Sequence, residues 1–179
     1  MSIHDSSFAG VRVAKSDDEQ PIFDMLVKLH EENSLFKMNP DKVWKVIHRA
    51  TRPDIRTGDV GIIGVIDGPK GGLEASVGFF ADSFWYTDEF MLTEYWTFVL
   101  EQFRRSTHAK RLIEFGKWAA LRLRVPYHTG IISNIRTEAK VRLYKRQLDY
   151  FGGFFFYNLN PKKLNGHSRE EKGEEQGMK

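Results

Sequence analysis

Residues 104–110, Arg-Arg-Ser-Thr-His-Ala-Lys, put three cations and several small side chains into one turn. They follow an apolar, aromatic run over 90–100. They lead into Leu112, Ile113, Phe115, Trp118, Ala119 and Leu121, spaced as on one face of a helix. A turn that opens a helix presents unpaired backbone amides and the positive end of the helix dipole, so it attracts anions. Arg104, Arg105 and Lys110 add charge-assisted hydrogen bonds, and the small Ser106 and Ala109 let a phosphate approach the backbone. The expected product is a pyrophosphate cradle built from Arg104, Arg105, Ser106, Thr107, His108, Ala109 and Lys110. This physics specifies a nucleotide site without naming the nucleotide.

The charge around the turn agrees with that reading. Residues 1–103 hold 10 basic and 17 acidic side chains, whereas 104–146 hold 12 basic and 2 acidic. A polyanion is the matching partner, either a nucleic acid or a nucleotide carrying several phosphates, and the plain alternative is a solvated basic helix face. With no cysteine, thiolate catalysis, disulfides and Cys-ligated metal are excluded, and a reducing cytosol is the natural location. His30, His48, His108 and His128 show no metal-ligand spacing, so no metal is expected.

The elements that must position these groups change period along the chain. Val11–Ala14 alternates as a strand. Ser16-Asp-Asp-Glu19 has the form of a capping box, ahead of helical spacing at Ile22, Met25, Leu26 and Leu29. Asn39-Pro40-Asp41 starts a second helix, and 51–59 reads as a loop. Val60–Ile66 and Leu73–Tyr86 form a hairpin around the turn Asp67-Gly-Pro-Lys-Gly-Gly72. The run over 90–100 suits a central strand buried on both faces, interrupted by one carboxylate, Glu94. A helix is expected to begin at Lys110 and to end before Pro126. Gly130–Ile132 reads as a strand, Thr137 begins a helix that Gly152-Gly153 breaks, and Phe154–Tyr157 is a last strand. The order β-α-α-β-β-β-α-β-α-β implies a mixed α/β fold with helices packed on the faces of a mixed sheet.

The pattern of a strand, then Val99, then Arg104-x-x-Thr107-x-Ala109, then a helix resembles the acetyl-CoA motif of the GNAT superfamily of N-acetyltransferases. That motif runs Gln/Arg-x-x-Gly-x-Gly/Ala. The resemblance covers about residues 11–158, and Thr107 departs from it by standing where the family usually has Gly. It implies a central, mostly antiparallel sheet, splayed around the coenzyme A site, with helices on both faces. It implies acetyl-CoA as acyl donor, with pantetheine against the backbone of Phe98, Val99 and Leu100 and pyrophosphate on the amides of 105–109. An amine then attacks the thioester directly in a ternary complex. Glu94 stands where the family places a general base, and burial among aromatics would raise its pKa to suit that role. Leu143-Tyr144 matches the family's helix that carries the general acid for the departing thiolate. Asn134 or Thr137 takes the place of the usual pantetheine-binding Asn. Trp85, Tyr86, Glu89 and Tyr95 fall where the family builds its acceptor pocket, and with Asp82 and Asp88 nearby they suit a cationic amine.

The length fits one domain, expected over 8–160, followed by a polar tail over 161–179 expected to be disordered. No stretch reads as a membrane span or a secretory signal, so a cytoplasmic enzyme is expected. The resemblance implies acetyl-CoA and an amine acceptor, a small molecule or a protein, as partners, and makes a homodimer plausible. Two other readings stand beside the enzyme. One is a basic nucleic-acid module using Tyr127, Tyr144 and Tyr150 for stacking. The other is a coenzyme A-binding fold without activity.

Overall fold

The computed structural model describes residues 7–33, 36–52, 61–133 and 136–153. The strands are β1 (Ser7–Phe8), β2 (Val11–Val13), β3 (Gly61–Asp67), β4 (Leu73–Asp82), β5 (Met91–Val99) and β6 (Tyr127–His128). The helices are α1 (Glu19–Asn33), α2 (Pro40–Thr51), α3 (His108–Leu123) and α4 (Thr137–Lys145). The strands form one six-stranded sheet in sequence order. Every pairing is antiparallel except β5 with β6, which is parallel. The fold is therefore the mixed α/β arrangement expected.

Each face of the sheet buries its own cluster. On one side α1 and α2 cover β3–β5 with Ile22, Leu26, Ile47, Ile63, Phe80 and Trp96. On the other, α3 packs Leu112, Phe115 and Ala119 onto Val11, Ile62, Val77 and Phe79. The hairpin between β3 and β4 turns at Gly71 and Gly72, whose φ of +84° and +79° favour glycine. Gly78 has a different reason. A Cβ there would stand 2.3 Å from the Trp96 indole, which lies across the strand and donates to Ser76 Oγ at 3.2 Å.

Several local expectations change. Ser16 does not cap α1. Residues 16–18 form a 3-10 turn, and the Asp18 carboxylate accepts from the Lys15 amide at 2.7 Å while holding the Arg12 guanidinium. Glu19 instead receives Thr51 Oγ1 at 2.6 Å and Arg52 Nε at 2.8 Å. A long-range partner takes Glu19, while the local cap bond is made by Asp18 one residue earlier. Asn39 does cap α2, accepting from the Lys42 amide at 3.2 Å, with Pro40 in the first turn.

β4 stops at Asp82, so Phe84, Trp85 and Tyr86 lie in a loop. α3 starts at His108, two residues before the expected Lys110, and ends on Arg124 in the left-handed region at φ +58°. α4 ends at Lys145, ahead of Gly152-Gly153, and the short β1 carries no sequence signal. The strand expected at Gly130–Ile132 is replaced by β6 at Tyr127–His128, and 130–132 carry no strand. Those apolar residues face a cavity rather than a ladder. The strand expected at Phe154–Tyr157 and the tail at 161–179 lie outside the described residues, as does most of the loop at 51–59.

Candidate active site

Two features of β5 open the site. A bulge sets Gly78 opposite Trp96 and Phe79 opposite Glu94, so Tyr95 is the extra residue and is 48% exposed. Strand β6 then pairs with β5 only at Leu92–Tyr127 and Thr93–His128. The second half of β5 loses its neighbour there, and a cavity of about 490 Å³ takes its place. Thr93–Val99 of β5 form one wall, with Gly130–Ser133 and α4 opposite, and Leu29 and Glu32 of α1 complete the enclosure. The strand buries residues on both faces, Leu92 on the α3 side and Trp96 on the side of α1 and α2, while its edge from Thr93 to Val99 opens into the cavity.

Glu94 is partly buried and lines this cavity. Its Oε1 accepts the Tyr144 hydroxyl at 2.6 Å, and its Oε2 accepts the Tyr127 hydroxyl in a short hydrogen bond. Burial raises the Glu94 pKa above the ordinary carboxylate range, although the phenol donors of Tyr127 and Tyr144 pull against it. Burial and the adjacent Glu94 push Tyr144 well above an ordinary phenol, and the same two causes raise Tyr127. Both phenols are therefore protonated donors. The Thr97 and Thr129 hydroxyls and His128 Nδ1 are buried without a hydrogen-bond partner among the described residues. A cluster with unmet polar capacity inside an apolar cavity suits a polar reactant.

The basic turn lies at the other end of the same wall. Ser106 and Ala109 line the cavity, and Arg105 and Lys110 are exposed. Ser106 N is engaged by Phe103 O at 3.0 Å and His108 N by Ser106 Oγ at 3.1 Å. The amides of Arg105, Thr107, Ala109 and Lys110 have no partner among the described residues. Free amides at the start of a helix are the groups to which anions are drawn. Thr107 has φ −86° and ψ 6°, so the backbone here does not call for glycine.

Three expected site residues behave differently. His108 is buried, and its Nε2 bonds Glu74 at 2.6 Å while its Nδ1 faces Arg111 Nη1 at 3.3 Å. Because guanidinium only donates, Nδ1 must accept, and the Nε2 hydrogen goes to Glu74. The ring is neutral and turned into the fold, so it brings no charge to the cradle. Arg104 also turns inward. It donates to Val99 O at 3.2 Å, pairs with Glu32 and lies over the Phe98 ring. Thr137 is not on the cavity wall, and its hydroxyl donates to Ser133 O at 2.5 Å at the start of α4. Asn134 lies outside the described residues.

On the acceptor side, Tyr95 lines the cavity, while Trp85 is 96% exposed and Tyr86 stacks on Phe84 in the loop. Phe84 in turn meets the edge of His128, which joins that loop to the cavity. Glu89 is exposed at the end of the loop, and Leu100 leads out of β5 with its amide on Glu74 O at 3.0 Å. Glu32, Thr97, His128 and Thr129 were not anticipated as site residues, and Tyr127 was expected only as a stacking residue in the nucleic-acid reading. Only the polar cluster Tyr127-His128-Thr129 after Pro126 hinted at them, and it has no periodicity. Among the described residues no His, Cys, Asp and Glu cluster could hold a metal ion, and no helix is long and apolar enough to cross a membrane.

No protein-family model matches the chain, and no curated protein matches it by sequence. Solved structures do resemble it. A probable acetyltransferase superposes with a TM-score of 0.63 at 15% identity, covering 84% of this chain and 96% of its own. AAC(6')-Iy, in complex with the bisubstrate analogue CoA-S-monomethyl-acetylneamine, matches with a TM-score of 0.63 at 13% identity, covering 84% and 97%. A ribosomal-protein-alanine N-acetyltransferase from Brucella melitensis biovar Abortus 2308 matches with a TM-score of 0.58 at 14% identity, covering 84% and 96%. At these identities the likeness shows the fold, which this chain shares with these acetyltransferases.

Proposed function

We propose that this protein is an acetyl-CoA-dependent N-acetyltransferase that acts on a primary amine, of a small molecule or a protein, by direct attack within a ternary complex. The observation that carries this reading is Glu94 Oε1 and Tyr144 Oη at 2.6 Å, inside the cavity left where β5 and β6 separate. A base and an acid stand together beside an anion-binding turn, on a fold shared with acetyltransferases.

The unpaired amides of Arg105, Thr107, Ala109 and Lys110 would hold the pyrophosphate of the acyl donor. The edge of β5 that β6 leaves uncovered would take the pantetheine arm along Phe98 and Val99, with Leu100 just beyond the strand. Acetyl-CoA supplies an activated acyl carbon. Glu94 takes a proton from the attacking nitrogen, and Tyr144 gives one to the departing thiolate. The acceptor enters from the side of Trp85, Tyr86, Glu89 and Tyr95. Asp82 and Asp88 flank that loop and favour a cationic amine. In the same reading the protein is a single domain over 8–160, cytoplasmic in keeping with its lack of cysteine, and able to pair as a homodimer.

Tyr144→Phe tests the reading. Turnover should fall by roughly 100-fold while the thermal shift given by acetyl-CoA stays as in the wild type. Unchanged turnover would remove Tyr144 from the chemistry. A thermal shift without turnover on any amine would leave a coenzyme A-binding fold without activity.

A further inference from the structure

We infer that Glu94 and Tyr144 work as one closed proton circuit rather than as separate base and acid, and that Tyr127 is the positioning residue that holds the circuit together. This inference rests on the acetyl-transfer reading and deepens it.

The geometry comes first. Glu94 receives one phenol on each carboxylate oxygen, Tyr144 on Oε1 and Tyr127 on Oε2. A carboxylate has about four lone-pair sites, so two remain for a proton arriving from the acceptor. The two phenols come from different elements. Tyr144 lies on α4 and lines the cavity. Tyr127 lies on β6, with its ring edge against Phe79 and its Cε1 3.1 Å from where a Cβ on Gly116 would stand. Tyr127 is thus wedged between the sheet and α3 and does not line the cavity. It touches no reactant and acts on Glu94 alone.

Energetics then favour coupling. A thiolate is the conjugate base of an acid with a pKa of roughly 8.5. Tyr144 is raised well above the ordinary phenol value of 10.0, so by itself it is a reluctant donor to a thiolate. A protonated Glu94 is a far stronger acid, and it stands one hydrogen bond behind Tyr144. The steps balance as follows. The amine attacks in its neutral form, its ammonium proton already released to solvent; the C–N bond forms, and the nitrogen, made acidic by bonding to carbon, gives its next proton to Glu94. The C–S bond breaks, and the thiolate takes the Tyr144 proton as Tyr144 takes the one on Glu94. The amine proton ends on the thiol, and both side chains return to their starting state. No co-reactant is needed.

The groups facing Glu94 are Thr97 of β5, Tyr127 and His128 of β6, Thr129, and Tyr144 of α4. The charged residues elsewhere on the wall are Glu32, Arg104, Arg136 and Lys140, none of which hydrogen-bonds the carboxylate.

The first test needs no acceptor. In the full chain, with carbon-13 in the glutamate side-chain carboxyls and Glu94 assigned through Glu94→Gln, NMR titration should place Glu94 above ordinary carboxylates. Tyr127→Phe and Tyr144→Phe should each move it further up by removing a donor. A Glu94 titration that neither variant moves would overturn the shared carboxylate. The second test is a kinetic cycle with acetyl-CoA and spermidine, or an alanine-terminated peptide if spermidine is not acetylated. The Glu94→Gln/Tyr144→Phe double variant should stay within about threefold of the slower single variant, as groups acting as a unit do. Losses that multiply would show two independent groups and overturn the circuit while leaving the acetyl-transfer reading intact. Tyr127→Phe should lower kcat about tenfold at unchanged KM for acetyl-CoA and shift the acid limb of the pH profile upward. An unchanged kcat and pH profile would remove Tyr127 from it. Absence of acetyl transfer by the wild type would instead count against the function, and the titration still decides the shared carboxylate.

Discussion

Arg104 forms an ion pair with Glu32 and donates from Nε to the Val99 carbonyl at 3.2 Å, which ties the end of α1 to the basic turn through the cavity wall. In the proposed reading the guanidinium occupies backbone that the pantetheine arm would use, and Glu32 would compete with phosphate for its charge. Glu32→Gln should tighten acetyl-CoA binding by a factor on the order of ten, or about 1.4 kcal/mol. Isothermal titration calorimetry measures this directly. Weaker binding in the variant would show that the pair supports the site instead of blocking it.

His108 and Glu74 anchor the first turn of α3 to β4 inside the fold. His108→Ala leaves a buried carboxylate without its donor. The expected loss is about 1.5–3 kcal/mol of stability, read from the urea midpoint at constant m-value. A loss confined to coenzyme A affinity, with stability intact, would instead return His108 to the phosphate cradle.

Thr107→Gly tests whether the turn needs a glycine. With φ at −86° the backbone is ordinary, so the added freedom should lower stability by about 0.5 kcal/mol and change acetyl-CoA affinity less than about threefold. A large gain in affinity would mean that the Thr107 side chain obstructs the cradle.

The Glu94 pKa is raised, mainly by burial, so the folded state holds its proton more tightly than the unfolded chain does. The sign follows from linkage. The stability this group contributes is full below its unfolded value, near 4.5, and is lost as pH rises through the folded pKa. With Glu94 as the proposed base, activity runs the other way, because a base must be ionised. kcat/KM should fall as pH drops through a midpoint above ordinary carboxylates. Glu94→Gln should flatten both curves, and a pH profile that keeps its acid limb in that variant would assign the limb to another group.

Much of this was legible locally. Asn39-Pro40, the Gly71-Gly72 turn and the passage from an apolar strand into a basic helix start are contiguous signals, and each forms where its residues place it. Leu143-Tyr144 was legible through resemblance alone. What escaped depends on partners distant in sequence. Asp18 is drawn to Arg12, which also holds Asp67 on another strand. Arg104 is drawn to Glu32, and Tyr127 meets Glu94 only because β6 pairs with two residues of β5 before the strands part. A two-residue strand is too short to show a period, and Gly130–Ile132 is apolar because it lines a cavity.

The most direct test of the central claim is mass spectrometry of a mixed pool of primary amines, including polyamines, aminoglycosides and peptides with free N-termini. The pool is incubated with acetyl-CoA and the full chain, alongside Tyr144→Phe as control. The expected result is gain of one acetyl group on at least one amine, with stoichiometric release of free coenzyme A thiol, strongly reduced in the control. No acetylated amine across the pool, or acetylation equal in the control, would contradict the account.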